Sequence, residues 1–315
     1  MAEGRDKKGD SLSHRGGTIP GTRKPAYTLS VPDGLPTPVI LAVPHAGRSY
    51  PEELWKRMRK PEWSALRLED RYVDRIATEV ARQTGAALMV AHAPRAMIDL
   101  NRDCSDVDWT MVAEGAPSGG RPGNSNQRAR SGLGLVPRRL PRLGEIWNRP
   151  LTGSELDARI GQVHAPYHRA LAEALAHCRE RWGAALLVDL HSMPPLKKAH
   201  PQDRAAQYVI GDRFGASADD RLVAAALRQL ASDGAVVAHN RPYAGGFVLD
   251  RHASQRGGIH AIQLEICRDL YLDSDHVDPA DGLAGVVATV SRLVRVLAGE
   301  AAEMGRSGQI PLAAE

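Results

Sequence analysis

The order of the short apolar runs constrains this chain more than any other feature. PVILAV (38–43), AALMVAH (86–92), RAMIDL (95–100), AALLVDL (184–190), QYVIGD (207–212), AVVAHN (235–240) and IHAIQLEI (259–266) are each six to eight residues long, the length expected of buried strands. Helical patterns lie between them. PEELWKRMRK opens with Pro and two acids, a good helix start. RLEDRYVDRIATEVARQTG (67–85) puts Tyr72, Ile76 and Val80 on one face and stops at a glycine, as an amphipathic helix does. The stretch TGSELDARIGQVHAPYHRALAEALAHCRERWG starts on a Thr/Ser signal and ends in glycine, with Pro166 expected to kink or divide it. DDRLVAAALRQLASDG and an Ala/Val/Leu-rich stretch from 279 to 304 supply two more helices. Strands alternating with helices predict an α/β fold, a single domain whose mixed, mostly parallel β-sheet is flanked by helices.

The predicted domain spans 27–304, with 1–26 a disordered basic tail, 305–315 a C-terminal tail, and 104–150 a long Gly/Pro/Ser/Arg-rich loop or lid. Its core must be built from Ala, Val, Leu and Ile, because aromatics supply only 4% of residues. No window has the roughly 20 consecutive apolar residues of a membrane span, and the N-terminal stretch lacks the apolar segment of a secretory signal. Cys104, Cys178 and Cys267 are far apart and cannot form a disulfide framework, which favours a reducing, cytoplasmic setting. Of the 41 basic residues 34 are Arg. Guanidinium is suited to anionic partners, although a GC-rich coding bias accounts for most of the excess. Nucleic-acid binding is the alternative of a different class, but the aromatic interleaving used for base stacking is missing. Oligomeric state is not legible.

In parallel sheets ligands bind beyond the carboxyl ends of the strands, and here those ends are chemically apt. His45 follows the first run. Asp99, Asn101 and Arg102 end the third, Asp189 and His191 the fourth, and Glu265 with Arg268 the last, while Asp70 opens a helix. Two histidines and a carboxylate form a catalytic zinc set that leaves a position for water. Rival chemistries have less support. Ser192 follows His191 but no GxSxG is present, Cys267 reads as a small buried hydrophobe, and GGRPGNSNQ matches neither phosphate-binding fingerprint.

VPHAGRSYP, RLEDRYVD, PRAMIDLNR, HAPYHRAL, VDLHSMP, NRPYAGGF and QLEICRDLYLD, running from about 38 to 275, resemble successive blocks of the N-formylglutamate amidohydrolase family, which is related to zinc carboxypeptidases and aspartoacylases. The resemblance implies a zinc-carboxypeptidase-like fold and a Zn2+ held by His45, an acid of the RLEDRYVD block and His191. Relatives carry the acid three residues after the first histidine, where this chain has Arg48. Asp70 is therefore preferred, over Glu69 and, less strongly, Glu52 or Glu53. The resemblance further implies Glu265 as general base, Asp189 as an orienting carboxylate, and Arg95, Asn101 and Arg102 as grips for substrate carboxylates. Arg268 would be a second anion clamp or a loop tether. Tyr167, His168, Asn240, Gly245 and Gly246 would line the pocket. The implied reaction is cleavage of N-formyl-L-glutamate to formate and glutamate, or of another small N-acyl acidic substrate, with the 104–150 loop the place where such a difference would reside.

Overall fold

A computed structural model describes residues 5–7, 11–116, 127–198, 200, 202 and 204–308. The strands are β1 (Arg5–Lys7), β2 (Ser11–Gly16), β3 (Tyr27–Pro32), β4 (Val39–Val43), β5 (Ala87–Ala91), the short β6 (Arg139–Leu140) and β7 (Gly144–Glu145), β8 (Ala185–Met193), β9 (Tyr208–Gly211), β10 (Val237–His239) and β11 (Ile259–Cys267). The helices are α1 (Glu52–Lys56), α2 (Pro61–Leu68), α3 (Val73–Thr84), α4 (Gln127–Arg130), α5 (Gly153–Arg159), α6 (Ala165–Trp182), α7 (Asp220–Ser232), α8 (Phe247–His252) and α9 (Leu283–Gly308). Among the described residues none is long and apolar enough to cross a membrane.

Nine strands form one mixed sheet in the order β1-β2-β3-β5-β4-β8-β11-β9-β10. Its centre, β5-β4-β8-β11, is parallel, whereas β2-β3-β5 and β11-β9 pair antiparallel. The expected α/β architecture is therefore present, with parallel pairing concentrated where the strands are buried on both faces.

Strand alternation explains where a site can form. Val39, Leu41 and Val43 of β4 face the core packed by α3, α7 and α9, while Ile40 and Ala42 face the other core, with α6 and α8. On that second face Ala185 and Leu187 of β8 give way to Asp189 and His191, and Ala261 of β11 gives way to Gln263 and Glu265. A face that is apolar for half its length turns polar toward the carboxyl ends, without disturbing Leu186, Val188, Ile262 and Leu264 behind it.

Local sequence rules hold at several ends. Gly85 and Gly183 stop α3 and α6 in the left-handed conformation, and Thr152 with Glu155 makes a capping box on α5. Pro166 does divide its helix, since a π-helical segment, Ile160–His164, separates α5 from α6 just before it.

Four expectations are corrected. RAMIDL is not a strand. It coils through a turn in which the Met97 N–H donates to the Pro94 carbonyl at 2.8 Å, and the Asp99 N–H is taken by Leu135 at 2.7 Å, so its apolar residues fill the core from a loop. The helix over 67–85 is two helices, and residues 69–72 between them are not helical. The predicted basic tail contributes β2, which pairs with β3 over Ser11–Gly16. Residues 1–4 and 8–10 of that tail, 117–126 of the long loop and 309–315 of the C-terminal tail lie outside the described residues. The described part of 104–150 is irregular but packed, with Val107, Met111, Leu135 and Ile146 in the core. Its apolar residues are too sparse for a strand pattern, yet enough to anchor it. Helix α9 runs to Gly308, past the predicted end at 304.

Leu293 on α9 is fully buried against the sheet. Replacing it by Ala removes apolar contacts and leaves a cavity, so Leu293→Ala is expected to lower unfolding stability by about 2–5 kcal/mol, read from urea denaturation.

Candidate active site

His45, two residues beyond β4, His191 on β8 and Asp70 between α2 and α3 converge. His45 Nδ1 and His191 Nδ1 are 3.1 Å apart, Asp70 Oδ2 is 3.1 Å from His191 Nδ1, and 3.6 Å from His45 Nδ1. All three are buried. Four ligands set tetrahedrally at 2.0–2.2 Å around a zinc-sized cation would lie about 3.3–3.6 Å from one another; one of the three separations falls in that range and two are about 0.2 Å shorter. The donor chemistry fits as well. His45 Nε2–H donates to Asp99 Oδ1 at 2.7 Å and His191 Nε2–H to Asp189 Oδ2 at 2.8 Å. Each carboxylate fixes the tautomer that turns an Nδ1 lone pair inward. Two such nitrogens face to face can be bridged by one proton or by one cation.

Asp70 reaches this position because the chain leaves the helix there. Its N–H donates to the His45 carbonyl at 2.9 Å, which joins the His45 and Asp70 segments through the backbone. Its Oδ1 accepts from Ser192 Oγ at 3.2 Å and lies 3.4 Å from Arg268 Nη2, leaving Oδ2 for the histidines. Burial alone would raise the Asp70 carboxyl, but when the imidazoles carry a proton on Nδ1, hydrogen bonds from His191 and His45 outweigh it and hold it well below the usual range. Glu69, the rival candidate, turns away and pairs with Arg71 at 3.0 Å. Arg48, at the position where relatives carry the acid, pairs with Asp74 at 2.9 Å.

Glu265 stands beside His191 in the parallel β11/β8 register. Burial raises its carboxyl to about 7. Gln263, two residues before it, donates from Nε2 to Glu265 Oε1 at 2.9 Å. Asn101 Nδ2 reaches Gln263 Oε1 at 3.4 Å, and Asn101 Oδ1 accepts the Val248 N–H at 2.9 Å. The Asn101 amide is thus used inside the protein, bridging the loop after β5 to β11 and to α8. Gly246 is required at that junction, since a Cβ there would sit 2.5 Å from Asn101 Oδ1. Gly47, after His45, is required too, because a Cβ would meet the Ala93 carbonyl oxygen at 2.1 Å.

These groups line a cavity of about 260 Å³ whose wall also carries Arg67, Arg95, Arg102, Arg268, Tyr243 and Gly245. Arg95 is a partner of Asp99, to which its Nε and Nη2 both lie at 2.9 Å. Arg102 donates to the carbonyls of Leu133 and Asn101 at 3.0 and 2.7 Å. Arg268 spans Ser192, Leu66 and Glu69, at 3.0, 3.3 and 2.7 Å, the contacts of a tether. Of the expected lining residues, Gly245 and Gly246 are in the wall. Tyr167 and His168 are instead wholly buried, and Asn240 is bonded to Asp212 at 2.6 Å. Sequence reasoning missed Asp99 as the His45 partner, Gln263 beside Glu265, and Arg67. The first two were visible as polar residues inside apolar runs; Arg67 gave no signal.

A second histidine group lies beside the Asn101–Arg102 loop. His164 Nε2–H donates to the Arg102 carbonyl at 2.9 Å, and His168 Nδ1 lies 3.0 Å from His252 Nε2. Burial, then the Arg251 and His164 charges, depress His252 to about 4. An unfolded histidine titrates near 6.5, so between about pH 6.5 and 4 the unfolded chain binds the proton and the folded one does not. Stability then falls with falling pH by up to about 1.4 kcal/mol per unit. Urea midpoints measured over this range should show a smaller slope in His252→Gln than in the wild type.

Comparison with known proteins gives the class and then the family. The family model for N-formylglutamate amidohydrolase matches residues 37–272. The chain is 27% identical over 240 residues to the N-formylglutamate deformylase of Pseudomonas aeruginosa, covering 75% of this chain and 82% of that protein. It is 26% identical over 247 residues to the deformylase of Pseudomonas putida, with the same coverage. The structure of N-formylglutamate amidohydrolase from Ralstonia eutropha superposes with a TM-score of 0.77 at 31% identity, over 90% of this chain and 99% of that one. A gene product of Agrobacterium tumefaciens shares the fold, at a TM-score of 0.59 and 20% identity, over 86% of this chain and 92% of that one. Fold and site therefore define a hydrolase of amide bonds. The chain belongs to the N-formylglutamate amidohydrolase family.

The His–Asp–His group makes a direct prediction. Asp70→Ala should abolish tight binding of a divalent cation, and Asp99→Asn should weaken it about 10- to 100-fold by releasing the His45 ring. Competition against a chromophoric chelator measures both.

Proposed function

We propose that the protein is a zinc-dependent deformylase that cleaves N-formyl-L-glutamate to formate and L-glutamate. The observation that carries this reading is the placing of Glu265 beside a buried His45–Asp70–His191 group, in a cavity walled by arginines, in a chain of this family. His45, Asp70 and His191 would hold Zn2+, which when bound polarises the formyl oxygen and acidifies a water.

The remaining chemistry belongs to the chain's own side chains. Glu265 accepts a proton from the water that attacks the formyl carbon and returns it to the departing amine. Burial, which raises its carboxyl, favours its uptake of a proton. Gln263 occupies Oε1 and so leaves Oε2 as the oxygen for the water. The formyl group carries only hydrogen on its carbon, so little room is needed beside the metal. Arg95 keeps Nη1, the nitrogen not engaged by Asp99, for the substrate carboxylate next to the scissile bond, and Arg102 adds positive charge to that side. Asn101 positions the wall, and Arg268 holds Asp70 and its loop.

The test is metal content together with formate release from N-formyl-L-glutamate. Glu265→Gln is expected to keep its zinc and to lose about 100-fold or more in kcat, in line with removal of a general base. Undiminished turnover in that variant would sink the assignment of Glu265, and a metal-free wild type with full activity would sink the zinc mechanism.

A further inference from the structure

We propose that Arg67 is a specificity-determining residue that receives the distal carboxylate of the substrate. The proposal rests on the deformylase reading and adds to it the group that distinguishes an acidic side chain from a neutral one.

Four guanidinium groups line the cavity, and their commitments differ. Arg268 has all three nitrogens on protein oxygens, including Ser192 Oγ at 3.0 Å and the Glu69 carbonyl at 2.7 Å. Arg102 donates Nε and Nη1 to backbone carbonyls. Arg95 gives two nitrogens to Asp99. Arg67 has no acidic partner among the described residues. Its guanidinium carbon lies 5.2 Å from the Trp63 ring centroid, and Trp63 stands one turn earlier on α2. Stacking on an aromatic face holds the guanidinium plane in place while its N–H groups, which lie in that plane, stay available. A cation held in this manner, at the exposed side of a cavity, is prepared for a planar two-oxygen acceptor.

The geometry also separates two tasks. Arg95 belongs to the loop that carries Asp99 and is paired to the carboxylate that orients His45. Arg67 comes from α2, three residues before Asp70. A substrate with two carboxylates thus meets one cation tied to the metal-ligand network and a second supplied by a different element of the wall. A substrate with one carboxylate and a neutral side chain would satisfy only the first. Replacing the distal carboxylate by a carboxamide leaves an uncharged group against Arg67, and loss of a hydrogen bond between charged groups lowers affinity about 10- to 100-fold.

The experiment compares N-formyl-L-glutamate with N-formyl-L-glutamine as substrates of the zinc-loaded wild type, Arg67→Gln and Arg67→Lys. For Arg67→Gln the expected result is a KM for N-formyl-L-glutamate raised about 10- to 100-fold with kcat within about twofold. Turnover of N-formyl-L-glutamine should be unchanged, and Arg67→Lys should recover part of the loss. A purely structural role would lower kcat for both substrates alike, and that result, or an unaltered preference, overturns the proposal. Calorimetric binding of glutarate against its monoamide provides a reading that needs no turnover. Loss of the dicarboxylate preference in Arg67→Gln supports the assignment even if N-formyl-L-glutamate proves not to be hydrolysed, an outcome that would overturn the deformylase reading alone. Preference retained in the variant overturns the assignment whatever the substrate.

Discussion

The buried carboxylate of Asp99 ties the site together. One oxygen accepts His45 Nε2–H at 2.7 Å and the Asn101 N–H at 2.8 Å, and the other takes the Nε and Nη2 of Arg95. Burial would raise its carboxyl, but the charges of Arg95, His45 and Arg102 outweigh that and hold it well below the usual range. A carboxylate committed in this way fixes the ring of His45, the loop that carries Asn101 and Arg102, and the orientation of a wall arginine. A buried charge is tolerated only when it is satisfied on all sides, and here satisfying it is what assembles the site.

The parallel register of β8 and β11 is the second organising element. It sets Asp189 opposite Gln263 and His191 opposite Glu265, so His191 and Glu265 each have a hydrogen-bond partner one step deeper in the sheet. Alternation along the strands then divides the molecule. Asp189, His191, Gln263 and Glu265 belong to the site, while Leu186, Val188, Leu190, Ile262, Leu264 and Ile266 of the same strands fill the core under α7 and α9. The chemistry can be polar without weakening the packing because the two occupy opposite faces of the same strands.

Much of this was legible in the sequence, in proportion to how local the cause was. The runs that became β4, β5, β8, β9, β10 and β11 are apolar enough to name themselves, and His45, His191 and Glu265 are conspicuous at their ends. RAMIDL shows the weakness of the same signal. A short apolar run records burial, and a buried loop satisfied by Leu135 looks like a strand until its hydrogen bonds are known. β2 and β3 escaped notice because Ser11–Gly16 and Tyr27–Pro32 are short, mixed in polarity and flanked by charged residues. They pair with one another, β2 also with β1 and β3 with β5.

The α/β architecture and the kinds of chemistry available follow from local patterns, because periodicity and residue type are properties of neighbours along the chain. Which acid joins the histidines is set by folding. Glu69 and Asp70 are adjacent in sequence and alike in chemistry, and the break between α2 and α3 turns one to Arg71 and the other to His45 and His191. Folding also decides which arginines are already engaged. That depends on oxygens contributed by Leu66, Asp99, Leu133 and Ser192, which are brought together by folding and by nothing in their spacing.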